Sequence, residues 1–441
     1  VRYQRAQETL REVPPSLPAD FSPNTVRAKA IIAEARQAGE TWLSPMHLNA
    51  LLGCYMISTP RMAAAPGAKE AADIAAEFGM PVALKIQSQR IVHKSDVGGV
   101  ALGLEKPEDV RAAAASMWSR LRTSHPSAKL DGFLVQEMVV RPRAHELIVG
   151  MSVDPTFGPI LLFGQGGTAV EVIDDKSLAL PPLNLPLARA MMARTRVFRQ
   201  LEGYRDRPAA KLDAIALTLV KLSQLVTDNG EIVELDINPL LADETGVIAL
   251  DARVKLGTAD AEHGRRFAIS PYPKELERVV DVPDWGACLL RPVRPEDAGA
   301  MIRLFERLSP EDIRLRFFTP WRELPSKQLA RFTQIDYDRE MAFALVSADR
   351  QDFLGIVRLA ADPDNIRAEF AVLVRSDLKG HGLGRMLMDH LIAFARKRGI
   401  QELFGEVLRE NTIMLSLCRD LGFSMETEVG APGTVRATLA L

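Results

Sequence analysis

Apolar and polar positions change period several times along this chain, and each change predicts an element. Residues 368–374 read Ala-Glu-Phe-Ala-Val-Leu-Val, a strand pattern that puts Glu369, Ala371 and Leu373 on one face. Lys379, Gly380, His381, Gly382, Leu383, Gly384 and Arg385 follow, and Leu383, Leu387, His390, Leu391 and Phe394 then recur at helical spacing. The pattern predicts strand, glycine loop and helix, with Lys397, Arg398 and Gly399 as the cationic last turn and the stop. A second strand is expected at 402–408. A helix led by Asn411 should carry Met414, Leu417 and Cys418 and end at Gly422-Phe423.

Upstream, residues 1 to about 42 are polar, with prolines at 14, 15, 18 and 23 before an Ala-rich helical stretch at 26–38. A linker and docking helix are expected over 1–43. Strand patterns at 82–86, 132–139, 146–153, 160–163, 231–237 and 247–252 alternate with amphipathic helices, which argues α/β or α+β architecture for residues 44–262. Residues 263–286 contain Ser270-Pro271-Tyr272-Pro273 and Val282-Pro283 and read as an interdomain linker. A new strand at 288–291 then opens a last domain, 287–441.

Composition narrows the function class. The 441 residues carry a net charge of −2, with 47% hydrophobic and 25% charged residues. From residue 287 onward, 22 basic residues face 22 acidic ones, so neither part has the electrostatic footprint of a nucleic-acid or membrane-surface binder. Cys54, Cys288 and Cys418 are far apart and lack metal-ligand spacing, so reduced thiols in the cytoplasm are expected. No uninterrupted apolar stretch approaches a membrane span, and no charged-then-apolar leader is present. The chain begins at Val1, consistent with a fragment or a processed form.

The glycine loop carries the clearest chemistry. Glycines let the backbone approach a ligand, and a helix N-terminus offers unpaired N–H groups and partial positive charge, which together suit a pyrophosphate. Dinucleotide-binding folds and ordinary tight turns use the same residues. With the second strand, Asn411, Cys418 and Gly422-Phe423 added, residues 287–441 resemble the GNAT acyltransferases. That resemblance implies acetyl-CoA held by Lys379 to Arg385, by the strand at Val372 and Val374, and by Asn411. Lys379 stands where the family usually has Arg or Gln, and Cys418 where many members carry Tyr. A capping role alone explains Asn411, and a small buried residue is as good an account of Cys418 as a general acid.

The middle region carries a second set of motifs. Lys85 on a strand precedes a loop with His93, Ser95, Asp96, Gly98 and Gly99, a pairing of point charge and loop amides that can hold phosphates. Gln136, Glu137 and Met138 follow, then Gly164, Gly166 and Gly167, and then Asn238 and Asp251. In this order they resemble the ATP-grasp domain of ADP-forming acyl-CoA synthetases. The resemblance implies ATP or ADP with Mg²⁺: Lys85 on phosphate with Ser95, Gly98 and Gly99 around it, Gln136 to Met138 along the adenine, and Asn238 and Asp251 on the metal. Glu146 joins the nucleotide site, or pairs structurally with Asp236.

None of the seven histidines sits in a segment resembling the phosphohistidine loop of a complete synthetase, and a CoA-binding domain is also missing. The chain is therefore expected to be α/β and α+β, an ATP-grasp domain followed by a GNAT acyltransferase domain. That layout resembles the bacterial protein lysine acetyltransferases of the Pat type, here apparently without their N-terminal part. The expected partners are proteins with acetylatable lysines, acyl-CoA synthetases foremost. A lysine amine is only about 0.04% neutral at pH 7, so a base is needed. Glu369 is the candidate, with Glu406 on the next strand as its rival. Two other readings stay open: a partial ADP-forming ligase, or a nucleotide-sensing module.

Overall fold

The computed structural model describes residues 21–79, 81–88, 97–124, 130–167, 174–203, 205, 207–257, 267, 269–283, 285–427 and 433–441. The candidates His93, Ser95 and Asp96 lie outside them. Two units emerge, residues 17–268 and residues 269–441.

The first unit begins with α1 (Thr25–Gln37), capped by Asn24, whose Oδ1 accepts from Arg27 N at 3.0 Å. Ala28, Ile31, Ile32 and Ala35 recur at helical spacing and are buried. The expected docking helix is thus a core member of this unit, which starts well before residue 44. After α2 (Pro45–Cys54), strands β1 (Met62–Ala65), β2 (Val82–Gln87), β3 (Val100–Leu104) and β4 (Gly132–Glu137) form an antiparallel sheet in the order β1-β4-β2-β3. Val82, Leu84 and Ile86 alternate onto the face covered by α3 (Ala68–Phe78) and α4 (Pro107–Ser124).

A larger sheet follows, built from β5 (His145–Asp154), β6 (Gly158–Gln165), β7 (Lys176–Ala179), β8 (Ile232–Asp243), β9 (Gly246–Ala249) and β10 (Ala252–Leu256). Its order is β10-β8-β5-β6-β7, with β9 paired to β8. The helices α5 (Leu185–Met192), α6 (Val197–Leu201) and α7 (Leu212–Asp228) lie along the chain between β7 and β8. In α7, Ile215, Leu219, Leu222 and Val226 are buried in the same core as Leu147, Val149 and Ile237 of the sheet. The two sheets are joined by the Gln136 amide, which is buried and donates to Leu250 O at 3.2 Å.

In the second unit one eight-stranded sheet has the order β11-β12-β13-β14-β15-β16-β18-β17. Its strands are β11 (Arg278–Val282), β12 (Gly286–Pro292), β13 (Glu340–Val346), β14 (Phe353–Ala361), β15 (Arg367–Val374), β16 (Glu402–Leu408), β17 (Ser424–Glu426) and β18 (Thr434–Ala440). The expected linker over 263–286 is not all linker: it contains β11, hydrogen-bonded to β12 from Arg278↔Leu290 to Val282↔Gly286. Proline and charge suggested a loop, but an edge strand tolerates both. α11 (Leu383–Arg398) and α12 (Thr412–Asp420) contribute buried residues to the core on one face. Of α8 (Ala298–Glu306), α9 (Pro310–Phe317) and α10 (Ser326–Thr333), α8 and α10 pack into the core on the other. Among the described residues no helix is long and apolar enough to cross a membrane.

Candidate functional site

β15 leads through a short turn into α11, as the strand–loop–helix pattern predicts. Gly380 and Gly382 have φ of +85° and +79°, the left-handed region that a Cβ disfavours. Gly382 is the N-cap of α11 and no side chain caps it. The first amides of the helix are thereby left to a ligand, with the partial positive charge of the helix end behind them. Open space surrounds both positions where a Cβ would be, whereas a Cβ on Gly384 would lie 3.7 Å from Leu417 and 3.9 Å from Val374. The loop therefore exposes its backbone at 380–382 and packs at Leu383 and Gly384.

The second feature is a split in the sheet. Among the described residues β15 and β16 are the only parallel pair in it, and their register covers Arg367↔Glu402, Ala368↔Leu403 and Glu369↔Phe404. Beyond these positions β15 stays paired to β14 through Val374, while β16 stays paired to β18. The edges that part leave backbone groups of residues 370–374 without a partner strand, at the place where Val372 and Val374 were expected to meet the thioester. Gly405 makes room for the split. A Cβ there would meet the Phe370 ring at 2.8 Å, and that ring also packs on Phe423 with centroids 4.9 Å apart.

Glu369 is exposed at the closed end of the split, while its neighbours Ala368 and Phe370 point into the core. Leu373 packs on the opposite face, as alternation requires. On that face a cavity of about 50 Å³ is lined by Ala371, Leu373, Ile356, Phe317, Arg316 and Arg358, among others. Arg358 is tied to Glu340 and to Arg331 O at 3.1 Å. Burial pulls the Arg316 guanidinium down to about 10, with the negative charge of Glu369 opposing and Arg358 adding. Glu406 is also exposed, opposite Arg436 in the register of β16 and β18.

Several expected roles change. Cys418 is fully buried among the core side chains under α11, and burial pushes its thiol up to about 11. It is a packing residue and is not placed to meet a leaving group. Lys379 does not extend toward the loop's open face: its ammonium is paired with Asp312 on α9, which also takes the Ser376 hydroxyl. Burial would raise the Asp312 carboxyl, but the donors Lys379, Ser376 and Ser309 together hold it below the usual range. The lysine thus anchors the loop. Asn411 is the N-cap of α12, its Oδ1 accepting from Met414 N at 3.1 Å, so capping accounts for its type. His381 meets the Trp285 ring edge-on at 5.0 Å. Trp285, Gly405, Asp312 and Arg316 were all missed in the sequence. Only Gly405, an isolated glycine within a strand pattern, carried a signal.

In the first unit the structure brings Glu146, Gly166, Gly167, Asn238 and Asp251 together. Gly166 N donates to Glu146 O at 2.8 Å, Gly167 N to Asn238 Oδ1 at 2.9 Å, and Asn238 N to Asp251 O at 3.1 Å. A Cβ on Gly167, where φ is +85°, would collide with the Glu146 carboxylate at 2.2 Å. Glu146 and Asp236 are not a pair: Asp236 lies across from Gly150, four residues along β5, or about 13 Å away. Burial raises the Asp236 carboxyl, Arg253 lowers it, and Asp251 and Glu234 raise it further. Lys85 sits on β2 beside Val100, and Ile86 N donates to Gly99 O at 2.9 Å, so lysine and glycine loop are neighbours.

On the strand expected along the adenine, Glu137 N donates to Arg61 O at 2.8 Å and Met138 N to Pro81 O at 2.9 Å, so an adenine beside it would not be held by these two amides. The sheet extends past the end of the motif and uses them. Among the described residues no group of three or more His, Cys, Asp and Glu could hold a metal alone. Asn238 and Asp251 together with nucleotide phosphates would fit Mg²⁺, which typically takes one or two protein ligands and fills the rest with phosphate and water.

Comparison with known proteins agrees with this division. The ATP-grasp domain family matches residues 34–256, and the acetyltransferase (GNAT) family matches residues 308–423. The ADP-forming acetate–CoA ligase I of Archaeoglobus fulgidus is 38% identical over 258 residues, 58% of this chain but only 36% of that protein. An acetyltransferase of Pseudomonas aeruginosa is 37% identical over 137 residues, 31% of this chain and 74% of that protein. A chain of the acetyl-coenzyme A synthetase 1 of Candidatus Korarchaeum cryptofilum, solved with coenzyme A and Ca-AMPCP, superposes with a TM-score of 0.50 at 33% identity. It covers 52% of this chain and 100% of its own. The chain belongs to the ATP-grasp family through its first unit and is a GNAT-family N-acetyltransferase through its second.

Proposed function

We propose that the protein is a lysine N-acetyltransferase of the Pat type, which moves acetyl from acetyl-CoA to lysine side chains of acyl-CoA synthetases, with its ATP-grasp unit governing the reaction. The observation that carries this reading is one strand, β15, that bears an exposed carboxylate at Glu369, parts from its neighbour just beyond, and feeds the uncapped helix N-terminus at Gly382.

Each part has a task. Amides 382–385 hold the pyrophosphate of acetyl-CoA, and the split edge of β15 holds the pantetheine arm and the thioester. Glu369 takes a proton from the lysine ammonium, directly or through a water, which makes the amine nucleophilic. A backbone N–H near Val372 to Val374 stabilises the oxygen as negative charge grows on it. The departing thiolate has an ordinary pKa near 8.5 and needs little help from an acid, consistent with a buried Cys418. Mass spectrometry after incubation with labelled acetyl-CoA and candidate synthetases tests the reading. Label on lysine supports it, and no label on any lysine sinks it.

A second reading is favoured by the Gly167, Asn238 and Asp251 constellation, the nucleotide end of a ligase whose other parts lie on a partner. It requires ATP-dependent phosphorylation of a partner's histidine, which a phosphate-transfer assay would detect.

A further inference from the structure

Arg316 is not accounted for by the steps above. It lies at the end of α9 and lines the cavity formed by Ala371 and Leu373 of β15, Ile356 of β14 and Phe317. Its guanidinium makes no hydrogen bond or ion pair with any described residue, although its neighbour Arg358 is fully engaged by Glu340 and the Arg331 carbonyl. Arg316 is half-buried with its guanidinium 5.1 Å from the Phe317 ring centroid, so its charge has an apolar wall behind it and donors to spare for an incoming anion. The charge of Glu369 acts on it. In the proposed reaction Glu369 becomes neutral as it takes the acceptor's proton, which removes that negative charge at the moment of transfer.

We infer that Arg316 is the anchor of an anion subsite in the acceptor cleft, and that the preferred acceptor is a lysine with an aspartate or glutamate beside it. This rests on the lysine-acceptor reading. The acceptor must arrive over the face of β15 that bears Glu369 and Ala371, the face on which the cavity and Arg316 lie. With the lysine nitrogen at Glu369, a carboxylate one residue away reaches a guanidinium that offers a planar, two-pronged donor. The apolar walls strengthen that contact by excluding water.

The test uses the full chain, acetyl-CoA and two lysine peptides that differ only in flanking residues, Asp/Glu against Asn/Gln. The acidic peptide is expected to be acetylated with kcat/KM about tenfold higher or more. Arg316→Gln should collapse that ratio toward one, and Arg316→Glu should invert it in favour of Lys/Arg-flanked peptides, with acetyl-CoA titration verifying the fold of each variant. Equal kcat/KM for the two peptides with the unaltered protein overturns the subsite and leaves the lysine reading standing, whether or not a variant folds. Transfer to neither peptide while free amino acids are acetylated overturns both. Loss of activity in Arg316→Gln with the ratio preserved assigns the residue a structural role and also overturns the subsite.

Discussion

Two residues on opposite faces of the same unit define what is chemistry and what is packing. Glu369 is exposed beside the opening between β15 and β16, whereas Cys418 has no exposed surface at all. Glu369→Gln is therefore expected to lower kcat by about 10² or more, the usual contribution of a positioned base, with acetyl-CoA affinity unchanged by calorimetry. A variant with full activity would pass the role to Glu406. Cys418→Ala should instead keep kcat and lose about 0.5–3 kcal/mol of stability in denaturant unfolding, the range of ordinary core truncations. These residues show why site roles are harder to read than elements. Alternation along 368–374 correctly put Glu369 on the face of Leu373 and opposite Ala368 and Phe370, because a strand's period is 2. Helical spacing could not tell a buried Cys418 from one lining a cleft, and nothing in sequence announces that Asp312, 67 positions from Lys379, claims its ammonium.

At the scale of elements, the loop before α11 works through its backbone. Gly380→Ala and Gly382→Ala force a Cβ into left-handed φ and should each cost about 1–2 kcal/mol, with weaker acetyl-CoA binding. Gly384→Ala meets only van der Waals contacts and should bind nearly as well. Equal losses at all three positions would argue against a role for backbone conformation. α11 also carries His390, packed edge-on against the Phe343 ring at 4.4 Å, with Nε2 buried and without a hydrogen-bond partner among the described residues. Burial, with the Arg278 charge beside it, pulls this imidazole down to about 4. The unfolded chain takes up the proton near pH 6.5 and the folded chain resists it until about 4, so stability should fall as pH drops between those values. His390→Leu should flatten that slope in melting curves at pH 5 and pH 7, and an unchanged slope would show that other groups set it. The helix itself was legible because its apolar period, cationic last turn and glycine stop agree. β11 was not, since a short edge strand among prolines shows no such agreement.

For the whole molecule, the order of motifs revealed the two families more clearly than it revealed how each site is wired. The Gly166–Gly167 turn, Asn238 and Asp251 do converge, while the amides of Glu137 and Met138, on the strand expected along the adenine, donate to Arg61 and Pro81. Hydrogen-bond ownership of that kind is set by tertiary pairing and leaves no trace in residue type. If the ATP-grasp unit governs acetyl transfer, ATP with Mg²⁺ should bind the full chain and shift kcat/KM for acetylation by roughly 5–150-fold, the scale of typical coupling energies. Lys85→Ala should weaken both effects together. Binding without any shift would make the nucleotide site an independent one. The central claim, acetyl transfer to protein lysine at the split between β15 and β16, is tested most directly by incubating the full chain with labelled acetyl-CoA and acyl-CoA synthetases and mapping the label by mass spectrometry. The account predicts label on lysine side chains that is lost in Glu369→Gln, and unlabelled lysines in every candidate protein would contradict it.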